Sequence, residues 1–171
     1  GTINLSLTGV HDAPVDVTTL QYAFDCGDGI GYRPFASSAS FACPATDNGV
    51  RSVRARVRDK DGAESEYTGS VTVVNVAPAI TIISAPPNGR TGVDHGIAFK
   101  FTDPGTGDAP WSYQITWGDG KNPVATSTNV QDVAITGKHR YTKAGSYTIT
   151  LRVTDNDGGA ATSAVQVAIV K

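Results

Sequence analysis

The sequence predicts an all-β chain folded as two tandem β-sandwiches, and three observations carry that expectation. A phrase recurs: Arg56-Val57-Arg58-Asp59-Lys60-Asp61-Gly62 returns 96 positions later as Arg152-Val153-Thr154-Asp155-Asn156-Asp157-Gly158. The turn Gly27-Asp28-Gly29 likewise returns 91 positions later as Gly118-Asp119-Gly120. A period near a hundred residues is that of a whole domain, not of a solenoid unit. Second, run after run alternates apolar and polar residues at the strand period of two. Third, no stretch keeps the helical period at length, and Gly, Asn and Asp punctuate the alternating runs.

In the first repeat the predicted strands run through Ile3, Leu5 and Leu7, and then through Leu20, Tyr22, Phe24 and Cys26 up to the Gly27-Asp28-Gly29 turn. Val53, Ala55 and Val57 lead into the Asp59-Lys60-Asp61-Gly62 turn, and Val71 and Val73 follow it. The second repeat adds a leading strand, Ala79 to Ser84, before Ile97, Phe99 and Phe101 and the loop Asp103-Pro104-Gly105. Trp111, Tyr113, Ile115 and Trp117 alternate into Gly118-Asp119-Gly120. Tyr147, Ile149, Leu151 and Val153 then alternate into Asp155-Asn156-Asp157-Gly158-Gly159, whose residues suit a hairpin turn, and Val165, Val167 and Ile169 return. The first repeat has no counterpart of Ala79 to Ser84, so its N-terminal strand is expected to be missing: either the chain is cut inside a domain, which is the favoured reading because an open edge is a liability, or the preceding part of the parent protein supplies that strand. Domains are expected at 1–75 and 76–171.

Only 18% of the 171 residues are charged and the formal net charge is −2. Nucleic acid is excluded as an expected partner, because phosphate binding needs a clustered basic surplus. No apolar run approaches the roughly 20 residues of a membrane span, so no membrane insertion is expected. The chain starts at Gly1 and contains no Met, which reads as an excised or processed segment of a longer protein. Cys26 and Cys43 lie 17 positions apart. They read either as a bridge, worth about 3 kcal/mol on chain entropy, or as two buried thiols. Low charge, abundant Ser and Thr and a local cysteine pair fit an extracellular or cell-surface protein, and a monomer is expected.

Tyr113-x-Ile115-x-Trp117-Gly118-Asp119-Gly120, followed by His139-Arg140-Tyr141-Thr142-Lys143-Ala144-Gly145-Ser146-Tyr147 and Val153-Thr154-Asp155, resembles the polycystic kidney disease (PKD) domain. The resemblance implies an immunoglobulin-like β-sandwich of the kind common in prokaryotic surface proteins and secreted hydrolases. The second repeat departs from the family's wording at Ile115 and Trp117, which stand where Trp and Phe are usual. The first repeat keeps Gly-Asp-Gly but puts Cys26 in place of the usual aromatic and Cys43 in place of the usual His. Those positions adjoin in the family's fold, so the resemblance implies a Cys26–Cys43 disulfide where an aromatic–His contact would sit. It also implies that His139 bonds the Gly118-Asp119-Gly120 turn.

Acidic loops carry the main chemical expectation. In an immunoglobulin-like sandwich the loop holding Asp103 and Asp108 and the hairpin holding Asp155 and Asp157 share one end, where the linker residue Asn75 also arrives. Oxygen donors from three segments suit calcium, which takes six to eight oxygens in flexible geometry, and some members of the resembled family bind calcium between consecutive domains. Asp and Asn also serve simply as turn formers bonding their own backbone. The first repeat's equivalents, His11, Asp12, Asp16, Asp59 and Asp61, make a less complete set. No helices flank Asp155 and no acidic residue follows at the required spacing, which excludes an EF-hand.

Two further ligand contacts are weighed. Arg54, Arg56 and Arg58 stand on one outer strand face, either gripping an acidic polymer or laddered with Asp25, Glu64 and Glu66. Trp111 starts its strand beside a loop and either offers a sugar-stacking platform or packs at the core rim. His11, His95 and His139 fall in separate segments, and no hydrolase, zinc-protease or phosphate-loop pattern exists, so no catalytic residues are expected. The expected role is a non-catalytic extracellular spacer or adhesion module of a larger prokaryotic protein, with calcium stiffening the domain junction. Its partners would be extracellular protein, polysaccharide or neighbouring domains. The alternative is an accessory polysaccharide- or protein-binding module of a secreted hydrolase.

Overall fold

Alternating runs become strands because a period of two puts every apolar side chain on one face of a pleated ribbon. The computed structural model describes residues 1–11, 17–123 and 125–171. Asp12 and Asp16 lie outside the described residues. Two units divide the chain, Gly1–Val74 and Asn75–Lys171. Asn75 therefore opens the second unit, where the sequence reading made it the last residue of the first. The reason is local: its side-chain amide bonds Asp155, deep in the second sequence repeat.

In the first unit β1 (Thr2–Ser6) pairs with β3 (Ser40–Pro44), and a 3-10 turn at Val17–Thr19 precedes β2 (Gln21–Asp25). β2 pairs with β4 (Gly49–Arg58), which pairs with β5 (Glu64–Val73), all antiparallel. The result is a two-stranded sheet, β1-β3, and a three-stranded one, β2-β4-β5. Cys26, just past β2, and Cys43, in β3, join the two sheets through a disulfide with an S–S distance of 2.01 Å. Its buried neighbours are Ile3 and Ala45.

The second unit contains β6 (Ala79–Ser84), β7 (Asn88–Arg90), β8 (Asp94–Thr102), β9 (Trp111–Thr116), β10 (Ala125–Thr128), β11 (Ile135–Arg140), β12 (Gly145–Thr154) and β13 (Ala160–Val170). They form the sheets β11-β8-β6 and β10-β9-β12-β13-β7. The core between them holds Ile97, Phe99 and Phe101 from β8, Ile149, Leu151 and Val153 from β12, and Val167 and Ile169 from β13. Each is an inward position of the predicted alternation.

Three strand pairings recur in the two repeats, β1-β3 as β8-β11, β2-β4 as β9-β12 and β4-β5 as β12-β13. Ile3 faces Cys43 as His95 faces His139, and Phe24 faces Ala55 as Ile115 faces Leu151. The Cys26–Cys43 bridge therefore occupies the place of the Trp117–His139 pair, whose rings stack with centroids 5.0 Å apart. His139 also bonds the adjoining turn, its Nε2 lying 2.8 Å from Asp119 Oδ2. The first repeat has no counterpart of β6 or β7 among its described residues, so β1 has β3 as its one neighbour.

Candidate functional site

Three segments of the second unit bring oxygens together at one end of the sandwich. As β8 ends, Asp103 turns inward and its backbone N–H donates to Gln131 Oε1. Asp103 Oδ1 accepts the N–H of Gly105 at 2.9 Å, and Oδ2 accepts the indole N–H of Trp111 at 2.9 Å. The loop then closes with the N–H of Asp108 donating to the carbonyl of Gly105 at 3.2 Å. The Asp108 carboxylate lies so close over Gly105 that a Cβ there would overlap it.

From the hairpin after β12, Asp155 Oδ1 accepts the N–H groups of Asp157 and Gly159 at 3.0 and 2.7 Å. Asp155 Oδ2 accepts the amide of Asn75 at 3.0 Å. Asn156 ties hairpin to loop, its backbone N–H donating to the Asp108 carbonyl at 3.2 Å and its side chain to the Ala109 carbonyl at 3.0 Å. Gly159 is the second close approach, since a Cβ there would stand 2.7 Å from the Asn75 amide nitrogen.

Asp103, Asp108 and Asp155 are all buried, and one carboxylate oxygen from each lies within 4.8 Å of the others. An oxygen of Asp157, which is exposed, comes within 4.8 Å of one from Asp108. The donors to Asp103 and Asp155 are neutral N–H groups, which satisfy lone pairs without cancelling charge. Confining three carboxylates in low dielectric is unfavourable unless a cation or protons neutralise them. Asn75 Oδ1 is buried and has no hydrogen-bond partner among the described residues. Its Nδ2 is already engaged by Asp155, which leaves a carbonyl oxygen beside the carboxylates. This is a hard-oxygen donor set, and its chemistry fits calcium.

The first unit supplies a contrast. Asp59 Oδ1 accepts the N–H groups of Asp61 and Ala63 at 2.8 and 2.9 Å, the same turn chemistry, but no other buried carboxylate joins it among the described residues. The turn-former reading therefore covers Asp59 and Asp61 fully, while His11 is exposed.

The remaining sequence candidates take other roles. Trp111 is 2% exposed, packed on Phe101 with its N–H engaged by Asp103, so it offers no stacking platform. It sits inward because β9 begins there and its alternation points the ring at the core. Arg54 bonds Asp25 at 2.7 Å, Arg56 bonds Glu66 at 2.8 Å and Arg58 bonds Gln21 at 2.7 Å. Arg56 also lies over the Tyr32 ring and Arg58 over Phe35, at 4.3 and 4.0 Å. The three arginines form a cross-strand ladder. The Gly27 N–H, joined by Arg54, holds the Asp25 carboxyl below its usual range against the opposing effect of burial. Burial raises Asp119, yet hydrogen bonds from His139 and the Lys121 N–H bring it below the ordinary range. Burial also pushes Tyr141 up to about 12.

Sequence reasoning missed Gln131, Tyr32 and Phe35, which sit in irregular segments without period. Gly105 and Gly159 were noticed only as turn residues. Their close approach to Asp108 and Asp155 follows from three-dimensional packing alone.

No curated protein matches the chain. Among solved structures, the PKD domain of an M14-like peptidase from a Thermoplasmatales archaeon is 25% identical, covering 56% of this chain and 94% of that one, with a TM-score of 0.40. The PKD domain of the human VPS10 domain-containing receptor SorCS2 is 22% identical over 56% of this chain and 73% of that one, TM-score 0.39. Fibronectin(III)-like modules of Clostridium thermocellum CbhA are 16% identical over 99% of this chain and 85% of that one, TM-score 0.45. The PKD domain family itself matches residues 75–170, more than half of the sequence and nearly all of the second sandwich. The Gly-Asp-Gly turn, the His139–Asp119 bond and the two-sheet core have their explanation in that match: the chain belongs to the PKD domain family.

Proposed function

We propose that the chain is a non-catalytic spacer and adhesion segment of an extracellular or cell-surface protein, with calcium bound where the backbone enters its second sandwich. PKD domains are typically non-catalytic, and a disulfide suits an oxidising compartment. No helix among the described residues is long and apolar enough to cross a membrane. The observation that carries the calcium reading is the convergence of buried Asp103, Asp108 and Asp155, with Asn75 bonded to Asp155 and its Oδ1 without a partner among the described residues. Bound there, the ion would supply the charge these carboxylates need and tie Asn75 to the loop after β8 and the hairpin after β12. Extracellular proteins, polysaccharides or neighbouring domains would be the partners of such a segment. The hydrolase-accessory reading loses its best feature with the burial of Trp111.

The test is thermal unfolding in saturating calcium against chelated protein. At a hundred times its dissociation constant, calcium stabilises the binding unit by about 2.7 kcal/mol. For a unit of this size that raises the melting temperature by roughly 10 °C or more. The shift is confined to the second unit and disappears in Asp108→Asn. An unshifted melt in saturating calcium would retire the metal and leave a spacer held by turn hydrogen bonds alone.

A further inference from the structure

The alternation of β8 that buries Ile97, Phe99 and Phe101 also turns His95 inward, and the ring is buried with them. β7 lies across it. A Cβ on Gly89 would stand 2.9 Å from His95 Nδ1 and 2.8 Å from Ile169 Cδ1, so the bare backbone of β7 covers the imidazole. His95 Nε2 is buried and has no hydrogen-bond partner among the described residues. A buried polar atom without a partner is unfavourable, and a charge placed on it is far more so.

None of the groups facing the ring would stabilise an imidazolium. Tyr141, with its ring centroid 6.2 Å away, stays a neutral phenol, since burial pushes its pKa up to about 12 and its hydroxyl donates to the Trp117 carbonyl. β13 contributes Ile169, which is apolar. β11 places His139 directly opposite, and that ring is engaged by Asp119 and stacked on Trp117. Asp94, on the other face of β8, pairs with Arg140 at 2.9 Å, and Arg90 and Lys171 are exposed. No carboxylate bonds the His95 ring among the described residues, and burial holds its pKa below the ordinary value.

We propose that β7 is an acid-released edge strand: it seals His95 neutral in the packed unit, and a proton taken up by His95 lifts β7 from β13 so that water reaches the ring. β7 is the weakest cover on the site. It is three residues long, ends its sheet and puts no side chain over the ring at Gly89, whereas β13 and β11 are held along longer ladders. With β7 lifted, the imidazole regains its ordinary pKa near 6.5. The open form then binds a proton that the closed form does not, so its population rises as pH falls below that value. The outcome is a sheet edge closed near neutral pH and available for strand pairing in acid.

The test measures backbone hydrogen exchange on the whole chain at pH 7 and pH 5, with each rate corrected for the intrinsic effect of pH. Two amides report the contact: Thr91, donating to the Val170 carbonyl, and Ala168, donating to the Pro87 carbonyl, both at 2.8 Å. Both are expected to lose about tenfold in protection at pH 5, while amides of β12 keep theirs. The midpoint of the loss is expected to coincide with titration of the His95 ring followed by NMR. In His95→Gln, neutral at both pH values, protection is expected to stay constant. The proposal is overturned by unchanged protection, by a loss shared equally with β12, or by the same loss in His95→Gln. Should that variant not fold, a midpoint away from the His95 titration overturns it equally.

Discussion

At the scale of single residues, the second sandwich places polar groups where small changes are costly. Trp111 fills the core with its ring and holds Asp103 with its N–H, so packing and charge meet in one side chain. Trp111→Phe keeps most of the apolar surface and removes the donor from a buried carboxylate. The expected loss is about 1–3 kcal/mol, read from urea unfolding of the second unit. His95 is 5% exposed and edge-on to Tyr141, with no partner for Nε2 among the described residues. Burial lowers its pKa, so the fold keeps it neutral while the unfolded chain takes up a proton near pH 6.5. The unfolded state then binds more protons, and stability rises with pH. The contribution is present above about pH 6.5 and is lost as pH falls toward the lower folded value. His95→Gln is expected to flatten the melting temperature of the second unit between pH 7 and pH 5; an unchanged slope would remove His95 as its source.

At the scale of elements, how much the sequence disclosed depended on periodicity. Strands carrying their own alternation, β4, β8, β9, β12 and β13, were legible because inward positions such as Ile149, Leu151 and Val153 repeat every second residue. β7 and β10 were not: three or four residues of mixed polarity have no period, and their pairing is dictated by the neighbouring strand. Among the candidate cation ligands, the turn residues Asp155 and Asp157 could be read locally, and the family resemblance placed Asp103, Asp108 and Asn75 beside them. The side-chain directions were another matter. Whether Trp111 faced the core or the solvent turned on where β9 begins, which a strand following an irregular loop does not announce. The arginine ladder was legible as one of two readings, and cross-strand register decides it: Arg56 lies directly opposite Glu66 and Arg54 opposite Asp25.

At the scale of the whole molecule, two versions of one architecture hold together by different means. The second unit packs Tyr141 and Leu151 where the first has Ala45 and Ala55, so the first has less apolar volume to bury. Its disulfide, closing 17 residues, offsets this by about 3 kcal/mol. Calorimetry is expected to resolve two transitions, and a reductant should lower one of them while leaving the other in place. A reductant that moved both equally would mean that the units unfold together. The pairing of β7 with β13 also has a mechanical meaning. The two strands run parallel but belong to opposite ends of the unit, so tension applied between Asn75 and Lys171 drags them in opposite directions along their length. Their ladder, flanked by the bonds from Ala168 to the Pro87 carbonyl and from Thr91 to the Val170 carbonyl, is then loaded all at once in shear instead of being unzipped bond by bond. The second sandwich thus carries a clasp that is loaded in shear.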